Sequence, residues 1–416
     1  MGAVTAGGNS HVGNLSNASI GASNGGADRS NPRWIRQASV ERLLPERLAA
    51  AKKAFTTRRV PFGSPDYDWS RATLLSGLRR PRAGDLVLAS VTRLGHHSRI
   101  ELTNGRRSHL HIGEEIVVAY ADRYAPDQFE SEIPMDLGPT QLVVSGGVAS
   151  TVLSRHGSTR RATDILPIGL IFNNESTPLN VSDFALQPAE PDRERPRVTA
   201  IVGTSMNSGK TTAVGSLILG LRRGGRKPGG AKVTGTGSGH DYWTMVDAGA
   251  HCVADFTDAG FASTYRIPLE IIEAILVRLV DHLTNEGCTD IVIEIADGLY
   301  QQETERLLRS PVFRDYVDGV IFTAADAMGA VAGVNRLMEL DLPVVGVSGM
   351  FTRAELAIRE VQANTEVPVW TKDDLSAPLD DSALLSSNAV IDLRRYESSS
   401  AYNPSPGSTE TAVGVV

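Results

Sequence analysis

Cysteine is nearly absent: Cys252 and Cys288 are the only two in 416 residues. Two thiols support neither a disulfide framework nor a four-ligand zinc site, and such scarcity fits a reducing compartment. Long apolar runs are absent too. No stretch approaches the roughly 20 apolar residues of a membrane span, so a soluble chain with no membrane partner is expected. The first residues lack the charged-then-apolar pattern of a secretory signal, which makes the cytoplasm the expected location. Aromatic residues amount to 6% and do not interleave with the basic residues of the N-terminal half, so nucleic acid is not an expected partner.

What is present is enough apolar residue, 41% against 21% charged, to build packed cores, and enough length for two folded domains. Charge is unevenly placed. Residues 29–107 carry 17 Lys/Arg against 6 Asp/Glu, a local +11, so the remainder of this net −7 chain carries −18. A basic module beside an acidic body can meet an anionic ligand or pair with the acidic part.

Residues 1–31 are Gly, Ser, Asn and Ala with almost no large side chain, a composition that predicts disorder. From Trp34 to Arg59 a helical pattern, interrupted by Pro45, predicts a lead-in to a basic domain over 32–187. Short apolar runs (86–88, 116–120, 141–144, 165–172) separated by Asn104-Gly105, Gly113, Gly146-Gly147 and Asn173-Asn174 predict a small β-rich domain, with a barrel as one form it can take. Residues 188–196, with three prolines and five charges, read as a linker. Beyond it, strand candidates at 198–202, 231–233, 291–295, 320–323 and 344–347 alternate with helices near 210–223, 268–286, 301–309, 327–340 and 353–362. The fold class expected is therefore α/β, a parallel-sheet domain over 197–372 preceded by the β-rich domain. The helix after Pro268 should bury Ile271, Ile272, Ile275, Leu276, Leu279, Val280 and Leu283, and residues 373–416 drift into a mostly disordered tail.

A phosphate-binding loop needs a strand that stops abruptly, small residues with inward N–H groups, a lysine, and a hydroxyl at a helix start. Residues 198–212 supply all four in Gly203-Thr-Ser-Met-Asn-Ser-Gly-Lys-Thr-Thr212. Gly203, Thr204, Asn207, Ser208, Gly209, Lys210, Thr211 and Thr212 are the expected nucleotide contacts. Lys210 would reach the β/γ-phosphates and Thr211 would take Mg²⁺, making ATP and Mg²⁺ the expected cofactors.

The form Gly-Thr-x-x-x-x-Gly-Lys-Thr, with Thr204 at the usual first glycine, resembles the loop of dethiobiotin synthetase-like P-loop NTPases. It is similar also to a related P-loop family that includes a D-glutamate N-acetyltransferase. In the neighbouring partitioning and metal-pumping ATPases an extra lysine sits near the loop's start, where this chain has Ser205. The resemblance implies that Lys232, at the end of the next strand candidate, contacts the phosphoryl group and substrate, which makes Lys210 and Lys232 the catalytic candidates. It implies also that Glu294 of Glu-Ile-Ala-Asp-Gly ligates metal. Ile295 replaces the family's glycine there, and the additional Asp297 is a second metal candidate; it has opposite strand parity, so both carboxylates can face one site only if the chain bends. Asp255, in Ala254-Asp-Phe-Thr-Asp-Ala-Gly260, resembles a short acidic segment of the acetyltransferase-containing family and is a further metal candidate. These enzymes commonly build their sites across a dimer interface, so a homodimer is expected.

Two further stretches stay open. The run Val233-Thr-Gly-Thr-Gly-Ser-Gly-His-Asp241 is either a connector or an anion cradle. His109 and His111 would share one strand face, but no cysteine or carboxylate joins them at ligand spacing, so they read as surface histidines beside His96 and His97. Together these readings favour an enzyme, ligase- or kinase-like, in which ATP activates a small anionic metabolite, a carboxylate or carbamate. The alternatives are a nucleotide-dependent accessory protein resembling molybdopterin-guanine dinucleotide biosynthesis protein B, and a P-loop acyltransferase.

Overall fold

A computed structural model describes residues 39–77, 79–173 and 177–379; the expected disordered start, residues 32–38, Asn174 and the chain beyond 379 lie outside these. Within 39–59 the expected helix is reduced to one short piece. Strand β1 (Val40–Arg42) is followed by helix α1 (Pro45–Ala50), then β2 (Lys52–Lys53) and a 3₁₀ turn at Phe55–Thr57. Pro45 explains the difference: it cannot sit inside a helix but is well placed at its first turn, where no N–H is needed.

The N-terminal half continues as β3 (Ala72–Leu75), β4 (Leu86–Arg93), β5 (Arg99–Glu101), β6 (Arg107–His109) and β7 (Glu115–Tyr120). It then forms β8 (Phe129–Glu132), β9 (Thr140–Val144), β10 (Val148–Arg155) and β11 (Thr163–Asn173). Strand β11 pairs with β4, β4 with β7, β7 with β10, β10 with β9 and β9 with β11, so the ladder closes on itself as a barrel. Alternate residues serve two cores: Leu86 and Leu88 one, Val87, Ala89 and Val91 the other. Strands β5 and β6 form a separate hairpin.

The C-terminal half carries six parallel strands, β12 (Arg197–Gly203), β13 (Pro228–Lys232), β14 (Cys252–Asp255), β15 (Asp290–Glu294), β16 (Gly319–Ala324) and β17 (Val344–Gly349), in the order β14-β13-β15-β12-β16-β17. Its helices are α2 (Lys210–Arg223), α3 (Gly239–Asp247), α4 (Leu269–Asn285), α5 (Gln302–Arg309), α6 (Pro311–Tyr316), α7 (Ala327–Met338), α8 (Glu355–Gln362) and α9 (Lys372–Ser376). The strands are apolar on both faces because both are covered. Val198, Ala200 and Val202 join the core under α4, α7 and α8, whereas Ile201 joins the core under α2 and α9. Strand β14 and helix α3 were not foreseen. Ile271 departs from the expected buried stripe and is exposed, and α9 buries Leu375 where the tail was expected to begin. Among the described residues no helix is long and apolar enough to cross a membrane.

The two halves are joined by buried polar contacts. Arg58 lies between the rings of Phe55 and Tyr242 and pairs with Asp255 at 3.0 Å and with Asp258. Glu101 of β5 accepts the Gly239 N–H at the start of α3 at 3.0 Å.

Candidate functional site

The carboxyl ends of three adjacent strands set the site. β13, β15 and β12 are neighbours, and their last residues are Lys232, Glu294 and Gly203, with Lys232 opposite Glu294 in the ladder. In open parallel sheets, ligands bind at such strand ends. The loop 204–209 leaves β12 and turns into α2 at Gly209, whose φ is +106°. Ser208 is fully buried, its hydroxyl 2.9 Å from that of Thr323, and the Thr204 N–H donates to Thr323 O at 3.0 Å. These contacts pin the loop to β16.

Lys210 is 6% exposed, and its Nζ donates to Ser205 O at 2.8 Å and to Asp297 O at 2.9 Å, so the amine already sits inside the loop. Burial lowers its pKa from the ordinary lysine value. Thr211 Oγ1 donates to Asp241 Oδ1 at 2.6 Å, and Asp241 also accepts from Lys232 Nζ. Glu294 Oε1 lies 3.6 Å from that amine. Burial opposes the Lys232 charge, but Asp241 and Glu294 outweigh it and hold its pKa above the usual value. Burial, reinforced by the nearby Asp241 charge, pushes Glu294 up to about 7.

The bend that both carboxylates need in order to share one site is present after β15. Asp297 has φ +39°, a region L-residues adopt rarely, and this kink brings both Glu294 and Asp297 to one cavity. Burial raises Asp297 to about 6. The following residue must be glycine: a Cβ at Gly298 would stand 2.1 Å from Thr204 O, so only hydrogen lets the acidic strand end approach the loop.

The cavity, about 740 Å³, lies between the two halves. Asn207, Gly209, Lys210, Thr211 and Thr212 line it, with Lys232, Asp241, Glu294 and Asp297 beside them. Gly203, Thr204 and Ser208, also expected as nucleotide contacts, do not line it; Gly203 and Ser208 are buried and Thr204 is half-buried. Asp255 is also placed elsewhere: its carboxylate is spent on Arg58 and on the Thr257 hydroxyl at 2.6 Å, at the contact between halves. The opposite wall comes from the barrel and its hairpin, through His96, His97, Arg99, Arg107, Arg123 and Tyr124. Asp127 of that half reaches the loop itself, accepting from Asn207 Nδ2 at 3.0 Å. His109 and His111 are exposed and do not line the cavity.

Asp241 and the three arginines were missed in the sequence. Asp241 closes a glycine-rich run that reads as either a connector or an anion cradle, and the arginines sit roughly 80 to 105 residues before the loop, with no motif of their own. A hard-cation site is chemically consistent with what is there. The Thr211 hydroxyl and the Asp241 and Glu294 carboxylates are oxygen donors, and Glu294 Oε2 is buried with no hydrogen-bond partner among the described residues. Among the described residues no three His, Cys, Asp or Glu side chains are grouped so that they could hold an ion by themselves.

No family model and no curated protein matches the chain. Solved structures similar to it include the signal recognition particle receptor FtsY from Elizabethkingia anophelis, 14% identical over 50% of this chain and 70% of that one, with a TM-score of 0.32. Signal recognition particle 54 kDa protein from Aeropyrum pernix K1 in complex with GDP is 19% identical over 50% of this chain and 49% of its own, at 0.33. Cell division protein FtsY from Thermotoga maritima is 17% identical over 50% and 72%, at 0.31. What assigns the fold is the chain's own arrangement of parallel sheet, glycine-containing loop and following helix: this is an α/β, parallel-sheet P-loop NTPase fold, preceded by a small β-rich domain.

Proposed function

We propose that the chain is an ATP- and Mg²⁺-dependent enzyme, ligase- or kinase-like, that activates a small anionic carboxylate or carbamate by phosphoryl transfer. The observation that carries this reading is the convergence of Lys210, Thr211, Lys232, Asp241 and Glu294 on one cavity at the ends of neighbouring strands. Its volume is in the range of small-molecule sites, roughly 300–1,000 Å³. The resemblance to dethiobiotin synthetase-like enzymes supports the same assignment.

Loop N–H groups and Lys210 would bind the β- and γ-phosphates, whose oxygens replace the two carbonyls the amine now meets. Thr211, Asp241 and Glu294 would hold Mg²⁺, which supplies charge neutralisation to the phosphates. Asp297, strained and facing the same space, is the remaining carboxylate for that role or for orienting the substrate. Lys232, kept protonated by Asp241, would sit where negative charge builds on the transferred group. An oxygen of the substrate carboxylate forms a bond to the γ-phosphorus while the bond from that phosphorus to the ADP oxygen breaks. In the ligase-like form a nucleophile then bonds to the acyl carbon while the carbon–oxygen bond to phosphate breaks and inorganic phosphate leaves.

The accessory-protein reading wants a free docking module, whereas here the β-rich half is spent on closing the cavity. Acyl transfer is a stronger second reading, because a cationic wall also suits the phosphates of an acyl carrier. A homodimer belongs to the leading reading and is checked by sedimentation.

The deciding experiment titrates ATP, GTP and acetyl-CoA, each with Mg²⁺, into the full chain and into its Lys210→Ala and Lys232→Ala variants. We expect ATP to bind, Lys210→Ala to weaken it by about a hundredfold, and Lys232→Ala to keep ATP but lose metabolite-stimulated phosphate release. Uptake of GTP or acetyl-CoA with no uptake of ATP would sink the proposal.

A further inference from the structure

Charge is segregated across the cavity. The wall of the C-terminal half mixes Lys210 and Lys232 with Asp241, Glu294 and Asp297, whereas the wall of the β-rich half contributes Arg99, Arg107 and Arg123 and no carboxylate. Arg123 is committed, donating to Val143 O and to Gln128 Oε1 at 2.9 Å. Arg99 and Arg107 are different. Both are exposed at the cavity, and among the described residues neither has a hydrogen-bonding side-chain partner or a carboxylate within 4.0 Å.

Their placement is built rather than incidental. In the β5–β6 hairpin Arg99 faces His109 and Glu101 faces Arg107, so Arg99 and Arg107 are diagonal neighbours on one face. Such positions lie roughly 7–8 Å apart, a span that one carboxylate or phosphate can bridge between two guanidinium groups. The hairpin is held in place on its other face and at its tip. Ile100 is fully buried and Ser108 is 6% exposed. Glu101, 2% exposed, is fixed to the Gly239 N–H, and a Cβ at Gly105 would come within 2.4 Å of the Trp243 indole. Glu101 shares the arginines' face, directly opposite Arg107 and interacting with its charge, while its carboxylate is held by the Gly239 N–H. One carboxylate held by a backbone N–H does not balance two guanidinium charges on one face, and an anion between them removes the remaining repulsion.

We propose that Arg99 and Arg107 form a binding site for a second anionic group, carboxylate or phosphate, of the metabolite whose first anionic group is activated at the phosphate-binding loop. The substrate class is then a dianion, with the two arginines as its specificity determinants. This rests on the activation reading above for the first anionic group, but the hairpin site is testable without it.

The test is isothermal titration of the full chain, with and without ADP and Mg²⁺, using straight-chain dicarboxylates from malonate to adipate. Monocarboxylates of matching length and the corresponding phosphonocarboxylates form the other arms, and they distinguish a carboxylate from a phosphate as the second group. We expect at least one dianion to bind about tenfold or more tightly than its monoanion. Arg99→Gln with Arg107→Gln should abolish that preference while ADP affinity changes less than about twofold. Equal binding of dianions and monoanions, absence of dianion binding, or a preference that survives the double variant overturns the proposal. Failure of ADP or ATP to bind strikes the activation reading instead, and the dianion comparison still decides the hairpin site.

Discussion

Of the residues on the cavity wall, His97 shows how far burial sets local chemistry. Its Nε2 is 2.8 Å from Val143 O, and burial, with Arg123 nearby, pushes its pKa down to about 3. In the unfolded chain the same imidazole titrates near 6.5. Between these values the unfolded chain binds a proton that the folded one refuses, so the stabilisation is complete above about pH 6.5 and drains away as pH falls. Urea denaturation should show the wild type losing about 2 kcal/mol more than His97→Gln on going from pH 7.5 to pH 5. Equal losses in the two proteins would show that the ring is protonated freely in the folded state. Nothing in the sequence around His96-His97 signals this burial, which arises from strands far along the chain.

Elements differ in how much of themselves they announce. The β12–loop–α2 unit was legible because strand, loop and helix follow one another within 27 residues, from Arg197 to Arg223, and each part obeys a local rule. Helix α3 was not, since Gly235, Gly237 and Gly239 lower local propensity, and packing of Met245 in the α2 core overrides it. The acidic end of β15 was half legible. Its opposite-parity carboxylates demanded a bend, but the Asp297 strain and the Thr204 approach to Gly298 belong to the assembled sheet. Gly298→Ala should therefore displace the phosphate-binding loop and weaken nucleotide binding by about tenfold or more, given about 1–3 kcal/mol for such overpacking. Titration of ATP into this variant checks it, and unchanged affinity would mean that the loop shifts without cost.

Across the molecule, Arg58 of the basic stretch joins an internal ion cluster and Arg99 and Arg107 join a cavity wall. Arg58 is nine-tenths buried between Asp255 and Asp258, and these two carboxylates outweigh burial and keep its pKa raised. Arg58→Met would leave Asp255 buried without a cation and Asp258 with only Arg59 at 3.7 Å, at a cost of about 3–5 kcal/mol in chemical denaturation. A loss below about 1 kcal/mol would show that water reaches the cluster and that other contacts join the halves.

The sequence by itself determined the phosphate-binding loop, the alternation that makes a parallel sheet, and the short-strand rhythm of the β-rich half, because each is written within a few consecutive residues. Tertiary structure alone decided that Asp241 joins Thr211 and Lys232, that Asp255 serves the contact between halves rather than the cavity, and that Arg99 and Arg107 face the loop. Those partners are separated by up to about two hundred residues, and no local preference links them. Their meeting follows from which strand ends lie side by side and from how one half closes over the other.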